Sequence, residues 1–358
     1  MLKPLEHVRI VEFCGLGPVP FAGMYLAQLG AEVICVLRPG QTLDPTLAET
    51  TLARGKSLIE ADLKNPKERA KLLSLIGCSD VVLEGFRPGV MERNALGPDT
   101  LLKRHPKLVY GRMTGWGQTG PRASEAGHDI NYIALTGALH AIGSERPTPP
   151  LNLVGDFGGG AMYLVAGVMA ALIHAGRTGQ GQVVDAAIVD GAAHLMSMIF
   201  GMATAGAWQD HRAANLLDGA APFYTSYECA DGGWLAVGPL EDKFFAVLVA
   251  GLGIDPAWVQ KRHDPAQWAA LTGEMRACFA KKPRAHWLAV FDGQDACVSP
   301  VNTFADANAD PHLTARGVFE PETGLPTPAP RFAQTPLAES TPEAQHMTLE
   351  EACAVWGR

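Results

Sequence analysis

The first 112 residues alternate between short apolar runs and segments with helical spacing, and few folds accept that pattern. Val8–Phe13, Glu32–Val36, Ser57–Glu60, Val81–Glu84 and Leu108–Tyr110 read as strands, with Phe21–Leu29 and Pro66–Ile76 as helices between them. Gly30 stands where the first helix has to stop, a position that favours glycine. Strand and helix in strict alternation predict α/β architecture with a parallel, doubly wound sheet.

The pattern then changes. From Gly127 to Ala207 the spacing is mostly helical, broken by Gly155–Gly160 and by a short strand, Gln182–Asp185. Phe223–Cys229 and Trp234–Val237 read as a hairpin turning at Asp231-Gly232-Gly233. Helices are expected at Glu241–Ala250, Pro265–Phe279 and Arg284–Phe291. These shifts divide the chain into a large α/β domain (1–221) and a smaller α+β domain (222–318). A C-terminal segment (319–358) then returns to the large domain. Its Pro-rich stretch, Pro321–Pro342, reads as an extended connection, and Leu349–Trp356 as a last short helix.

Composition narrows the function classes. With 29 basic and 37 acidic residues among 358, the formal charge is −8, which argues against a nucleic-acid binder of the usual basic kind. The balance is uneven: residues 1–112 hold 15 basic and 12 acidic side chains, a surplus of positive charge. The longest apolar run, Ala161–Ile173, is too short to span a bilayer, and the N-terminus shows no secretory-leader pattern. Seven scattered cysteines without a C-x-x-C pair fit reduced thiols in a cytoplasm better than disulfides or a zinc site.

Two short motifs mislead. Gly15-Leu16-Gly17 follows a strand and precedes a helix, but Pro20 stands where a dinucleotide fingerprint needs its third glycine. Asp156-Phe157-Gly158 spells a kinase triplet without the other kinase loops. Three segments combine glycine, an ionisable side chain and a helix start: Gly127–Tyr132, Gly155–Gly160 and Gly238–Glu241. Each also has a structural reading. Asp156 would N-cap the helix after it, Glu241 would complement a helix dipole, and His128 would be a satisfied structural histidine.

Longer ordered motifs carry a resemblance over essentially the whole chain. They include Arg87–Arg93, Gly111–Gln118, Gly127–Tyr132, Pro150–Gly160, Val183–Ala187 and Tyr227–Gly232. In these the sequence resembles the family III CoA-transferase superfamily, and within it the racemases that invert the stereocentre beside an acyl-CoA thioester. The resemblance implies His128 and Asp156 as acid and base on opposite faces of the α-carbon. It implies Glu241 as hydrogen-bond partner of the imidazole, and the backbone N–H at Asp129 as donor to the thioester oxygen. Arg38, Ala61, Asp62, Leu63, Lys64, Gly85, Phe86, Arg87 and Arg93 match CoA-contact positions, with Gly127, Ile130, Asn131 and Tyr132 around the reacting group. No cofactor is implied, because CoA enters with the acyl-CoA substrate, and the partner is a second copy in an interlocked homodimer. The alternative is a CoA transferase with Asp129 as nucleophile. His128 before it, the Gly-Asp-Phe-Gly-Gly-Gly segment and a small domain without a four-glycine run favour the racemase.

A carboxylate works as the second acid/base only if its surroundings raise its pKa. A helix N-terminus at Asp156 would do the opposite, so its local structure decides the matter.

Overall fold

The computed structural model describes residues 3–357, and ten strands run through them. They are β1 (Arg9–Phe13), β2 (Glu32–Leu37), β3 (Ser57–Glu60), β4 (Val81–Glu84), β5 (Val109–Thr114), β6 (Val183–Ala187), β7 (Thr225–Glu228), β8 (Trp234–Val237), β9 (Val298–Pro300) and β10 (Gln345–His346). Seven form a wholly parallel sheet in the order β10-β3-β2-β1-β4-β5-β6. The order reverses beside β1, which is the mark of a doubly wound sheet. Strands β7, β8 and β9 make a small antiparallel sheet.

The strand pattern has a direct physical cause. Val11, Val36, Ile59 and Val82 point to one face, where helices Pro66–Ile76 and Leu349–Trp356 close over them. Ile10, Val33, Val81 and Val109 point to the other, under helices Pro18–Gln28 and Met162–Thr178. A strand covered on both sides needs no polar alternation, so it reads as a continuous apolar run.

The chain groups into two compact units: Met1–Ala138, Pro150–Ser197 and Gly317–Arg358, and Leu139–Pro149 with Met198–Arg316. Relative to the division at 221/222, residues 198–221 and the short segment Leu139–Pro149 fall with the smaller unit. Helix Ser197–Thr204 buries none of its residues within the chain, so sequence periodicity offered no packing partner by which to assign it. The last segment joins the larger unit through β10, which adds to β3 at Gln345–Ser57 and His346–Leu58. The smaller unit has its own core of Phe223, Tyr227, Leu235, Phe245, Phe279 and Trp287.

The apolar run Ala161–Ile173 lies inside a longer helical segment, Leu153–Thr178, whose 26 residues are enough in length and composition to cross a membrane. Leu164, Val165, Val168 and Ala171 of that helix are buried in the sheet core, which accounts for its apolarity.

Candidate active site

The glycine-rich segment Leu153–Ala161 is a wide, π-type helix that runs directly into Met162–Thr178. Asp156 sits inside it rather than at an N-cap, so the capping reading is corrected: the cap position belongs to Asn152. Close packing explains the glycines. A Cβ at Gly159 would lie 2.6 Å from the Ala192 nitrogen, and one at Gly191 would lie 1.8 Å from the Gly159 oxygen. Only glycines let helix Ile188–Leu195 approach this closely.

A cavity of about 850 Å³ opens at the C-terminal ends of the parallel strands. Its wall comes from Cys14–Pro18 after β1, Arg38 and Gln41 after β2, Gly85–Pro88 after β4, Thr114–Trp116 after β5, and His128, Tyr132 and Asp156. Doubly wound sheets bind ligands at this edge, beside the strand where the order reverses. A second cavity, about 720 Å³, shares Cys14–Gly17 and Asp156 with the first and is mostly apolar, with Phe21, Met24, Leu52, Leu58 and Phe157 in its wall.

His128 precedes helix Asp129–Leu135, and its N–H donates to Asn131 Oδ1 at 3.0 Å. The imidazole is exposed and faces the larger cavity. Tyr132 is held edge-on against Trp116, and its hydroxyl donates to the Gly127 carbonyl. Asp129 is buried and does not line the cavity. Its carboxylate accepts the Asp156 N–H at 2.7 Å, tying the two segments together.

Asp156 therefore sits in an unusual electrostatic setting. Burial pushes its carboxyl up to about 6, and the neighbouring Asp129 charge adds to the rise. Hydrogen bonding from Asn152 and the His128 charge pull the other way and do not offset it. A carboxyl near 6 can both accept and return a proton at neutral pH.

Not every residue implied by the resemblance gathers here. Arg38, Gly85, Phe86, Arg87, Gly127, His128, Tyr132 and Asp156 line the cavity. Ala61, Asp62, Leu63 and Lys64 form a turn after β3, where Asp62 accepts the Lys64 N–H at 2.9 Å; they stand outside both cavities. Arg93, Ile130 and Asn131 are exposed and also lie outside the lining. Glu241 belongs to the smaller unit, where it is exposed and precedes helix Asp242–Leu252.

The backbone before Glu241 is held by Arg262, which is buried against the rings of Phe223 and Phe245 at 4.4 and 4.6 Å. Its guanidinium donates to the Pro239 carbonyl at 2.9 Å, the Leu240 carbonyl at 2.7 Å and the Asp242 carboxylate at 2.7 Å. Arg262→Met removes all three bonds and is expected to destabilise the smaller unit by about 2–3 kcal/mol. Urea unfolding checks this; a loss below about 0.5 kcal/mol would show that the loop stands without the arginine.

Sequence reasoning missed the buried ions beneath the cavity. Glu84, at the end of β4, accepts Arg112 Nε at 2.8 Å and the Phe86 N–H at 2.8 Å, so it anchors the loop carrying Phe86 and Arg87. Arg112 also reaches Glu92 at 2.8 Å. Glu12 and Lys56 form a second pair, in the wall of the apolar cavity. A charged residue inside a strand run was the available signal, because a buried charge demands a partner. Among the described residues no group of three or more His, Cys, Asp or Glu could hold a metal ion.

Residues 5–346 match CoA-transferase family III, and the chain belongs to that family. It is 45% identical over 341 residues to the α-methylacyl-CoA racemase of Mus musculus, covering 94% of this chain and 88% of the mouse protein. The human α-methylacyl-CoA racemase is 42% identical over the same span, with the same coverage. A succinyl-CoA–D-citramalate CoA-transferase of Chloroflexus aurantiacus is more distant, at 32% identity over 93% of this chain and 89% of its own. A solved CAIB/BAIF family protein from Brucella suis matches the whole chain with a TM-score of 0.80 and 26% identity, over 99% of its own length.

Proposed function

We propose that this chain is a racemase that inverts the α-carbon of 2-methylacyl-CoA thioesters by 1,1-proton transfer through an enolate. The observation that carries this reading is Asp156, a half-buried carboxyl raised to about 6 in the same cavity as the His128 imidazole. One group removes the α-proton, a planar enolate forms, and the other returns a proton to the opposite face. The Asp129 backbone N–H, at the start of helix Asp129–Leu135, stabilises the charge that develops on the thioester oxygen. Arg38 and Arg87, in the cavity wall, meet the phosphates of CoA. Lys64 and Arg93 contribute to CoA binding from outside the lining. Glu241 of a second copy, in an interlocked homodimer, orients the imidazole. Neither the family nor the relatives named above point to a cofactor, and CoA enters with the substrate. The seven cysteines without a paired framework are consistent with work in a reducing cytoplasm.

The transferase alternative needs a free Asp129 carboxylate. That group instead is buried and accepts the Asp156 N–H at 2.7 Å, which favours the racemase. The deciding experiment incubates a 2-methylacyl-CoA with the enzyme in D2O and no carboxylate acceptor. α-Deuterium incorporation with loss of optical purity is the expected result. Transfer of CoA to an added free acid without exchange, together with a hydroxylamine-trapped acyl group on Asp129, would establish the transferase instead.

A further inference from the structure

The apolar cavity begins at Asp156 and follows a helix away from it. A Cβ at Gly17, the residue before helix Pro18–Gln28, would lie 3.5 Å from Asp156 Oδ2, and Phe21 stacks on Phe157 with ring centroids 4.5 Å apart. The helix buries Val19, Ala22 and Leu26 in the sheet core. Phe21, Met24, Tyr25 and Gln28 line the cavity instead. Their spacing of three, four and seven residues puts them on one face of the helix. At about 1.5 Å per residue, the 11 residues of the helix carry that face roughly 16 Å away from Asp156.

Other segments supply the remaining walls. Leu47 and Leu52 come from the connection between β2 and β3, and Leu325 from the C-terminal segment. That last segment is fixed in place. Arg54 binds Glu320 at 3.0 Å, with both side chains nearly enclosed, and Gln28 Nε2 donates to Thr341 Oγ1 at 2.9 Å. The cavity is therefore built into the fold. Its volume, about 720 Å³, falls within the usual range for small-molecule sites, roughly 300–1,000 Å³. Leu16 and Leu47 line both cavities at 67% and 64% exposure, so the boundary between the two is apolar. Large apolar side chains gathered in the open mark a surface that a ligand covers.

We propose that this cavity receives the apolar tail of the acyl group, and that Met24 and Leu52 set the tail length the enzyme prefers. The inference rests on the racemase reading for the position of the reacting atoms. The α-carbon has to meet both His128 and Asp156. His128 lines the larger cavity and not the apolar one, and it shares that larger space with Arg38 and Arg87. CoA lies there, so the tail leaves the α-carbon toward the other space that Asp156 borders. Met24 stands about 10 Å along the helix from Gly17, at the rise of about 1.5 Å per residue. A tail passes it before reaching Gln28. A bulkier side chain at Met24, or at Leu52 on another wall, closes the far part of the cavity to a long tail and leaves room beside Asp156 for a short one.

The test measures α-deuterium exchange by the full protein with 2-methylbutanoyl-, 2-methyldecanoyl- and 2-methylhexadecanoyl-CoA, and the affinity for each ester by isothermal titration. Burying one methylene strengthens binding by up to about fourfold, so kcat/KM for the decanoyl ester is expected to exceed that for the butanoyl ester by about tenfold or more. Met24→Trp and Leu52→Trp should each lower that ratio by about tenfold, with a larger loss for the hexadecanoyl ester. General damage to the fold lowers all three esters together and leaves the ratio where it was. A ratio that does not rise with tail length, or one that neither tryptophan changes, would overturn the proposal. In the unaltered protein, amide hydrogen exchange over residues 43–52 should slow more with the decanoyl ester than with the butanoyl ester, and equal protection would overturn it as well. This measurement decides if both variants fail to fold. Tail-dependent binding that the tryptophans weaken, in a protein without exchange activity, keeps the tail site and removes only the racemase. Exchange indifferent to the tail keeps the racemase and removes the tail site.

Discussion

Asp156→Asn is expected to lower α-proton exchange and racemisation by about 10²–10⁴-fold, the range for loss of a positioned acid/base. The amide keeps the shape of the carboxyl but can neither take nor return the proton. His128→Ala should cause a loss of the same order, because each direction of reaction needs both groups. Full activity in either variant would remove that residue from the mechanism.

The elevated pKa of Asp156 adds a pH signature. The Asp156–His128 pair holds one proton in either working form, so both enantiomers must show the same pH profile. At low pH the pair takes up a second proton and no base remains. The acid limb of kcat/KM is therefore expected near pH 6, where Asp156 titrates. An acid limb near 4 would place Asp156 in an ordinary aqueous setting and contradict the burial argument.

The same shift has a stability consequence with a definite sign. Asp156 titrates higher in the fold than in the unfolded chain, so its contribution is fully present below about pH 4 and lost as pH rises through about 6. Asp156→Asn should therefore gain stability over the unaltered enzyme across that window and hold a constant gain above it.

Lys56→Met is expected to have the largest effect on the fold, about 3–5 kcal/mol. Lys56 Nζ lies 2.8 and 2.7 Å from the two oxygens of Glu12 and 2.9 Å from the Pro20 carbonyl, and both charged side chains are fully enclosed. Helix Pro18–Gln28 passes so close that a Cβ at Gly23 would lie 1.7 Å from Glu12 Oε2. Without the ammonium, Glu12 is a lone carboxylate, fully buried, with no cation beside it. Burial already raises its pKa despite Lys56, so at lower pH it can shed the charge by taking a proton. The loss should be larger at pH 8 than at pH 5. Adding Glu12→Leu to Lys56→Met should recover much of it, because two apolar groups leave no buried charge. Guanidinium unfolding at the two pH values measures this; a loss under about 1 kcal/mol would mean the pair behaves like a surface ion pair.

Much of this architecture was legible in the chain. Ser57–Glu60, Val81–Glu84 and Pro66–Ile76 lie where their patterns placed them, and Asp231-Gly232-Gly233 does turn between β7 and β8. Two strands escaped notice. Val298–Pro300 and Gln345–His346 are three and two residues long, too short for any period to register. Their pairing with β8 and β3 makes them strands, and pairing is a property of the partner. His128, Asp156 and Arg87 could be singled out because they stand in long motifs. Glu12, Lys56 and Cys14 stand in none, although they border the same space.

The order of residues by itself determined β1 to β5 and the helices between them, because burial on both faces leaves its mark on every position of a strand. It also determined which ionisable groups stand beside glycines. Only the tertiary structure decided what those groups can do. A segment that reads as a helix start proved to be the interior of a wide helical turn, packed through Gly159 and Gly191 and tied by the Asp129 carboxylate to the Asp156 N–H. That placement withdraws Asp156 from water beside a second negative charge and raises its pKa to about 6. Desolvation depends on atoms that arrive from distant parts of the chain, and no local pattern records them.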